Sequence, residues 1–294
     1  MTNRDPISLD IDLLNNNHEL SLGNDLLEVN DIDLPCPSCH FYSIETFNNK
    51  FDYCPNPIIL SLNCRSIVSK LDELKVFLSD LKKSKVICVL FQEIWDFPDH
   101  FDFDFSNFNF YFKKRALKRG GGVGLLVRSD LSCTLLPSPF LEGVFESIAI
   151  SVNFESLCLK IINIYRPPNG ILDDFHNSFL EFYDSFPTNE TNSPIIVGGD
   201  FNIDLLCKNE NSFDLVNNFF SQGLINVVSK ATRIVPPSKS LIDHIFVSDP
   251  SIFISSGVIT DSPSDHFWTF AALDIKIHTP PKKVQYIRNF STRT

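Results

Sequence analysis

Apolar runs that stop abruptly at polar residues recur along this 294-residue chain. The clearest is Ile195-Ile196-Val197, bounded by Pro194 and by Gly198-Gly199 and followed at once by Asp200, Phe201 and Asn202. A short run of this kind reads as a strand buried on both faces, whose glycines let the backbone turn and a ligand approach. Residues 58–63 and 85–91 repeat the pattern and end in Asn63 and in Gln92-Glu93. Between them Leu71, Leu74, Phe77, Leu78 and Leu81 recur at near-helical intervals among Lys, Asp and Glu, which predicts a βαβ unit. Residues 147–154 and 156–165 predict a strand pair, closed by Pro167-Pro168, which cannot extend a ladder. Helical periodicity covers 173–186 and 211–224 on either side of the Asp200 strand, and the last strands are expected at 241–247 and 264–273. Residues 97–112 read as an aromatic and acidic loop, and the Pro/Ser/Lys stretch after Arg233 as another. The fold class is α/β.

Collected, the polar strand ends are Asn63, Glu93, Tyr165, Asp200, Asn202, Asp243, Asp265 and His266. Ligand sites in open α/β sheets form outside such ends. These residue types suit metal-assisted hydrolysis of a phosphodiester. A hard carboxylate such as Glu93 holds Mg²⁺, which keeps most of its waters and bridges to a phosphate oxygen. Asp200 can orient and deprotonate the attacking water, while Asn63 and Asn202 supply neutral donors. His266 needs a partner to fix its tautomer, and Asp243, on an otherwise apolar strand, is the candidate. Ser264-Asp265-His266 is not a serine-hydrolase relay, because successive strand residues point to opposite faces. His244 reads as a packing or surface residue, and Trp95 and Trp268 as core.

Charge changes the picture only through its distribution. The net charge of −11 is concentrated in residues 1–56, which hold ten acids against Arg4 and Lys50. The nearly neutral remainder can bind DNA through a local basic patch, especially if its acids surround a metal. That patch is the run 113–119, in which five of seven residues are basic. Lys113, Lys114, Arg115 and Arg119, with Arg166 and Arg233, are the candidate DNA contacts. Gly120-Gly121-Gly122-Val123-Gly124 lacks the Gly-Lys-Ser/Thr ending of a phosphate-cradling P-loop and opens a strand instead. The eight cysteines read as free thiols, and Cys36-Pro37-Ser38-Cys39-His40 carries only half of a zinc-site spacing. Residues 1–55, rich in Asn and Asp, are expected to be a mostly disordered leader, 56–277 the folded domain, and 278–294 a tail. No apolar run approaches the roughly 18 to 20 residues that span a bilayer, and no secretory signal opens the chain, so the expectation is an intracellular protein without a membrane partner.

Asn63, Gln92-Glu93, Tyr165-Arg166-Pro167-Pro168, Gly199-Asp200-Phe201-Asn202, Ile242-Asp243-His244-Ile245 and Ser264-Asp265-His266, in that order, resemble the exonuclease-endonuclease-phosphatase superfamily. Leu62-Asn63-Cys64-Arg65-Ser66, the Gly120-Gly121-Gly122-Val123 strand entry and Tyr165-Arg166-Pro167-Pro168 are similar, more narrowly, to the endonuclease domain of non-LTR retrotransposons. The resemblance covers residues 58 to about 274. It implies a four-layered α/β sandwich, two mixed sheets face to face with helices outside. It implies a Mg²⁺-dependent nick, with Mn²⁺ able to substitute, that leaves a 3′-hydroxyl for a reverse transcriptase to extend. Tyr165 would contact the phosphate, Asp265 would lie by the metal, and His266 paired with Asp243 would stabilise phosphate charge. Implied partners are double-stranded DNA and a reverse-transcriptase segment or element RNA supplied in trans, with a monomeric chain acting in the nucleus. Phosphoinositide or other phosphoester hydrolysis on the same fold, or an inactive DNA-binding remnant, are the alternatives. One departure is Arg65, which stands where abasic-site endonucleases carry an acid, arguing against abasic-site repair and against a second metal. Residues 284–291 resemble the linker to a reverse transcriptase, so the chain is expected to nick but not to copy.

Overall fold

The computed structural model describes residues 38–51, 56–81, 85–98, 100–115, 120–154, 157–186 and 193–276. In chain order the first elements are β1 (Cys39–Tyr42), α1 (Ile44–Phe51), β2 (Ile58–Asn63), α2 (Leu71–Asp80), β3 (Val86–Gln92), β4 (Phe108–Lys113) and β5 (Val123–Arg128). There follow β6 (Cys133–Leu136), β7 (Phe140–Leu141), β8 (Phe145–Asn153), β9 (Cys158–Tyr165), α3 (Leu172–Asp184), β10 (Ile195–Asp200) and α4 (Glu210–Ser221). The chain continues through β11 (Ile225–Asn226), β12 (Arg233–Val235), β13 (Ser238–Ser240), β14 (Asp243–Val247), β15 (Phe253–Ile259) and β16 (Trp268–Leu273).

The strands build two large mixed sheets. The first has the order β1-β15-β16-β2-β3-β5-β4, and the second β11-β14-β10-β9-β8-β6 with β7 beside β8. The βαβ unit is present, with β2 and β3 parallel across α2, and α3 links the parallel pair β9 and β10. Strand alternation assigns each face its layer. Ile59 on β2 and Leu90 on β3 point into the core shared with Ile150, Ile161 and Ile196 of the second sheet. Their neighbours Ile58, Leu60, Val89 and Phe91 point outward, where Phe47 and Phe51 of α1 and Leu74 and Phe77 of α2 cover them. Phe77 stacks on Trp268 at 4.3 Å between ring centroids. On the far side Phe175 and Phe179 of α3 and Phe219 of α4 cover the second sheet. The expected four-layered arrangement is therefore the observed one.

Four regions depart from the sequence-based reading. Residues 39–51, assigned to the leader, form β1 and α1; β1 pairs in parallel with β15, and Phe47 and Phe51 are buried. The Asn/Asp richness of this end conceals a periodic apolar pair. Within the expected aromatic loop, residues 108–113 form an edge strand, which the alternating rings of Phe110 and Phe112 pack against Phe97 and Phe103. The Pro/Ser/Lys stretch forms the hairpin β12–β13. The strand expected from 264 begins at Trp268, because Ser264, Asp265 and His266 belong to the loop before it. Residues 1–37 of the expected leader and the tail 278–294 lie outside the described residues.

Candidate active site

Strand register collects the polar groups. In the second sheet Asp200 at the end of β10 lies opposite Tyr165 of β9 on one side and Asp243 of β14 on the other. In the first sheet Asn63 ends β2 opposite Gln92, one residue before Glu93. Glycines bring these rows together. A Cβ on Gly198 would come within 2.6 Å of Leu90 Cδ1 in the facing sheet, and one on Gly199, at φ +143°, within 1.9 Å of the Ile164 carbonyl oxygen. Only a residue without a side chain permits that approach.

Across the gap Asn63 Nδ2 donates to Asp200 Oδ2 at 2.7 Å and to Glu93 Oε1 at 2.9 Å. One buried amide thus ties the two carboxylates together, and its Oδ1 accepts from Arg65 N at 3.2 Å, which fixes its orientation. Trp95 Nε1 donates to the other Glu93 oxygen at 3.0 Å. Asn202 donates its backbone N to Asp200 Oδ1 at 2.9 Å and its Nδ2 to the Arg166 carbonyl at 2.8 Å. His266 Nδ1 lies 2.9 Å from Asp243 Oδ2, which also accepts from Thr232 Oγ1 at 2.6 Å. Asp243 thereby assigns the proton-bearing Nδ1, leaving Nε2 of His266 for a substrate. Below these groups Gln92 Nε2 donates to Asn163 Oδ1 at 2.6 Å, and Asn163 Nδ2 donates to the carbonyls of Phe91 and Gly124, at 2.9 Å each. That buried layer joins the sheets directly beneath the site.

Electrostatics divide the acids by task. Burial, reinforced by Asp243, pushes Asp200 up to about 7 against the opposing pull of His266, Asn63 and Asn202. A carboxylate so placed exchanges a proton near neutrality, as a general base must. Burial alone would push His266 down, but the Asp243 carboxylate on its ring, with Asp200 and Asp265 near, outweighs it and raises the imidazole to about 9. Burial, then the charges of Glu93 and Asp200, raise the Tyr165 phenol, so it stays a neutral donor.

Asp200, Asp243 and His266 each bring one ligand-type atom to within 4.8 Å of the others. This cluster suits a metal poorly, since a protonated imidazole bound to Asp243 has no lone pair to offer. Glu93 suits one better. Among the described residues its two oxygens accept from the neutral Asn63 and Trp95, leaving lone pairs for a hydrated divalent cation of the kind that takes one or two carboxylates and keeps several waters.

Residues 60–266 match the Endonuclease/Exonuclease/phosphatase family. The chain belongs to that family. Among solved structures, the endonuclease domain of TRAS1, a telomere-specific non-LTR retrotransposon, superposes with a TM-score of 0.60 at 12% identity, covering 76% of this chain and all (100%) of that one. An AP endonuclease from Archaeoglobus fulgidus gives 0.55 at 17% identity, over 74% of this chain and 99% of that one. TDP2 from D. rerio, complexed with single-strand DNA product, gives 0.56 at 15% identity, over 75% and 99%. No curated protein matches by sequence. At these identities the superpositions show a shared exonuclease-endonuclease-phosphatase fold. The two sheets, the helices outside them and the polar strand ends are this family's architecture as this chain builds it.

Within that family architecture Asn63, Glu93, Asp200 and Asn202 form one hydrogen-bonded network, the Asp243–His266 pair lies beside it through the register of Asp243 with Asp200, and Tyr165 adjoins it through its own register with Asp200. Asp265 is placed differently from the expectation that it sits by a metal with Glu93. Its Oδ2 accepts from Arg65 Nη1 at 2.8 Å and from Arg233 Nε and Nη2 at 2.9 and 2.7 Å. The basic run is also not a free patch. Lys113 Nζ donates to Ser138, Lys114 Nζ to Asp96 and the Phe97 carbonyl, and Arg115 pairs with the buried Glu146, which accepts from Gly122 N as well. The Arg115 guanidinium fills the space a Cβ on Gly121 would need, so the glycine run wraps a buried ion pair. Arg166 is buried and donates to the carbonyls of Phe201 and Gly170, a structural arginine rather than a DNA contact. Arg119 lies outside the described residues. Trp95, read as core, is instead a donor to Glu93; its position two residues after that acid is the only sequence signal for it. His244 is a core residue, its Nε2 bonded to the Ile203 carbonyl at 3.0 Å.

Proposed function

We propose that this chain is a divalent-metal-dependent DNA endonuclease that hydrolyses a phosphodiester to leave a 3′-hydroxyl. The observation that carries the reading is Asn63 Nδ2, which bonds Glu93 and Asp200 together and so couples the metal-holding acid to the base. Glu93 would hold Mg²⁺, and the ion when bound supplies Lewis-acid stabilisation of phosphate charge. Asp200, raised toward neutrality, accepts the proton of the attacking water. His266, protonated against Asp243, and the neutral Tyr165 stabilise the oxygens on which charge develops. Asn202, locked to Asp200 and to the Arg166 carbonyl, holds the base in position. The product hydroxyl would be the primer for a reverse transcriptase acting on the same target.

The test is conversion of supercoiled plasmid to the open-circular form by the purified chain with Mg²⁺, set beside Glu93→Ala and His266→Ala. Nicking by the parent and a loss of at least about 100-fold in each variant is expected, since each removes a group acting on the transition state. A parent that leaves plasmid intact yet releases phosphate from phosphoinositides would transfer the reading to that substrate class. Equal nicking by both variants would end it.

A further inference from the structure

The loop after β2 carries two non-glycine residues in left-handed backbone, Arg65 at φ +45° and Ser66 at φ +87°. The segment is pinned by Cys64 N to the Gln92 carbonyl at 3.0 Å, Ser66 N to the Glu93 carbonyl at 2.7 Å and Ile67 N to the Ile94 carbonyl at 3.2 Å. Such conformations are strained for residues with a Cβ and persist where surrounding structure imposes them, commonly at functional sites. Here they aim the Arg65 side chain across the mouth of the site at Asp265, the neighbour of His266. Arg233 reaches the same oxygen from the other side, and its backbone bridges that of His266.

Two guanidiniums therefore share one carboxylate oxygen, which leaves an excess positive charge at the rim. Side-chain exposures of 48% for Arg65 and 38% for Arg233 keep the pair open to solvent. Nε and Nη2 of Arg65 and Nη1 of Arg233 have no acceptor among the described residues. Stability does not account for the arrangement, because exposed ion pairs contribute little and the second arginine adds like-charge repulsion to the first. A guanidinium fork with unused donors beside a phosphodiesterase site fits a second phosphate.

We infer that Arg65 and Arg233 form a two-arginine clamp for a DNA backbone phosphate flanking the scissile one, with Asp265 holding the forks apart and aimed when DNA is absent. The inference rests on the endonuclease reading above and adds the contact that positions the duplex. Phosphate contacts fix register without reading sequence, so the clamp acts alike on every target.

The experiment is fluorescence anisotropy of the full chain with a labelled duplex in EDTA across a salt series, which separates binding from metal-dependent cleavage. Each phosphate neutralised contributes about 0.9 to the slope of log Kobs on log salt concentration. Arg65→Ala is expected to reduce the slope by about one and to weaken binding roughly tenfold at moderate salt. Arg65→Lys, which keeps the charge but loses the fork, is expected to keep the slope and bind less tightly than the parent. Arg233→Ala reports the second arm, and decides the matter if Arg65→Ala does not fold by circular dichroism. Parent slopes in both alanine variants, or a parent that does not bind DNA in EDTA, would overturn the clamp. If the slope falls as expected while the parent fails to nick, the clamp stands and the endonuclease reading falls; nicking with unchanged slopes gives the converse.

Discussion

Asp243→Asn isolates the pairing on which the proposed chemistry turns. The substitution keeps the shape of the side chain and an oxygen for Thr232 Oγ1, but removes the charge that faces His266 Nδ1 at 2.9 Å. That charge is the largest influence raising the imidazole from an ordinary 6.5 to about 9 against its burial. The difference corresponds to on the order of 3 kcal/mol, discounted for the neighbouring acids that also contribute. If the variant imidazole returned only to 6.5, about a tenth of it would be protonated at pH 7.5, and burial pushes it lower still. The nicking profile of the parent should lose rate through about pH 9, whereas in the variant the loss should occur below pH 6.5. Stability carries the same sign. A raised imidazole contributes fully below its unfolded value of 6.5 and loses that contribution as pH rises through about 9, so parent unfolding free energy falls across this window and the variant's does not. The assays are plasmid nicking under single-turnover conditions and an NMR titration of the His266 ring. An Asp243→Asn imidazole that still titrates near 9 would refute the assignment of Asp243 as its partner.

Other perturbations follow from packing. Gly199→Ala would place a Cβ 1.9 Å from the Ile164 carbonyl oxygen, backbone that cannot swing away; a loss above about 3 kcal/mol in urea unfolding is expected, and a parent-like midpoint would contradict the strand geometry. Asn163→Ala strips partners from Gln92 Nε2 and from the Phe91 and Gly124 carbonyls, and should cost about 3 kcal/mol or more by the same measurement. Trp268→Ala removes the ring stacked on Phe77 and should cost about 3 to 5 kcal/mol, read as a lowered Tm. Glu93→Gln should abolish the Mg²⁺-dependent rise in Tm that metal binding to the native state produces, while leaving the metal-free unfolding free energy within about 1 kcal/mol of the parent.

What was legible in the chain follows from how each feature is encoded. Buried central strands announce themselves, because a run such as Ile195-Ile196-Val197 needs apolar side chains on both faces, and its polar end needs a reason to be there. Edge elements do not. β4 has no fully buried position and reads as loop, while β1 is four residues long inside an Asn/Asp-rich stretch and is held by distant partners, pairing with β15 and packing Tyr42 on Phe270. The same division holds at the site. Asn63, Glu93 and Asp200 could be singled out because their positions at or just past strand ends are set by local pattern, and His266 because it closes a polar triplet just before an apolar strand. The engagement of Arg115 with Glu146, of Arg166 with the Phe201 carbonyl and of Arg65 with Asp265 is set by chain segments 31, 35 and 200 residues apart, which composition cannot convey. A run of basic residues measures charge, whereas a phosphate contact requires exposed donors left over once internal partners are served.

The placement of backbone strain makes the same point in energetic form. Glu93, Trp95 and Asn202 also have positive φ, at 51°, 61° and 49°, and all three lie in loops that leave the strands at the site. Each strained residue follows a strand buried to its last position, and each is anchored by bonds to groups on another element: Trp95 N to the Gly121 carbonyl at 2.9 Å, and Asn202 Nδ2 to the Arg166 carbonyl. Beneath them the Gln92–Asn163 layer and the close approach at Gly198 prevent the sheets from sliding to relax the loops. The cost is thus carried by the core, and the result is a carboxylate pair held by one amide at fixed separation before any substrate arrives. Such preorganisation is what electrostatic stabilisation of a transition state requires, since dipoles already in place need no reorganisation as charge develops.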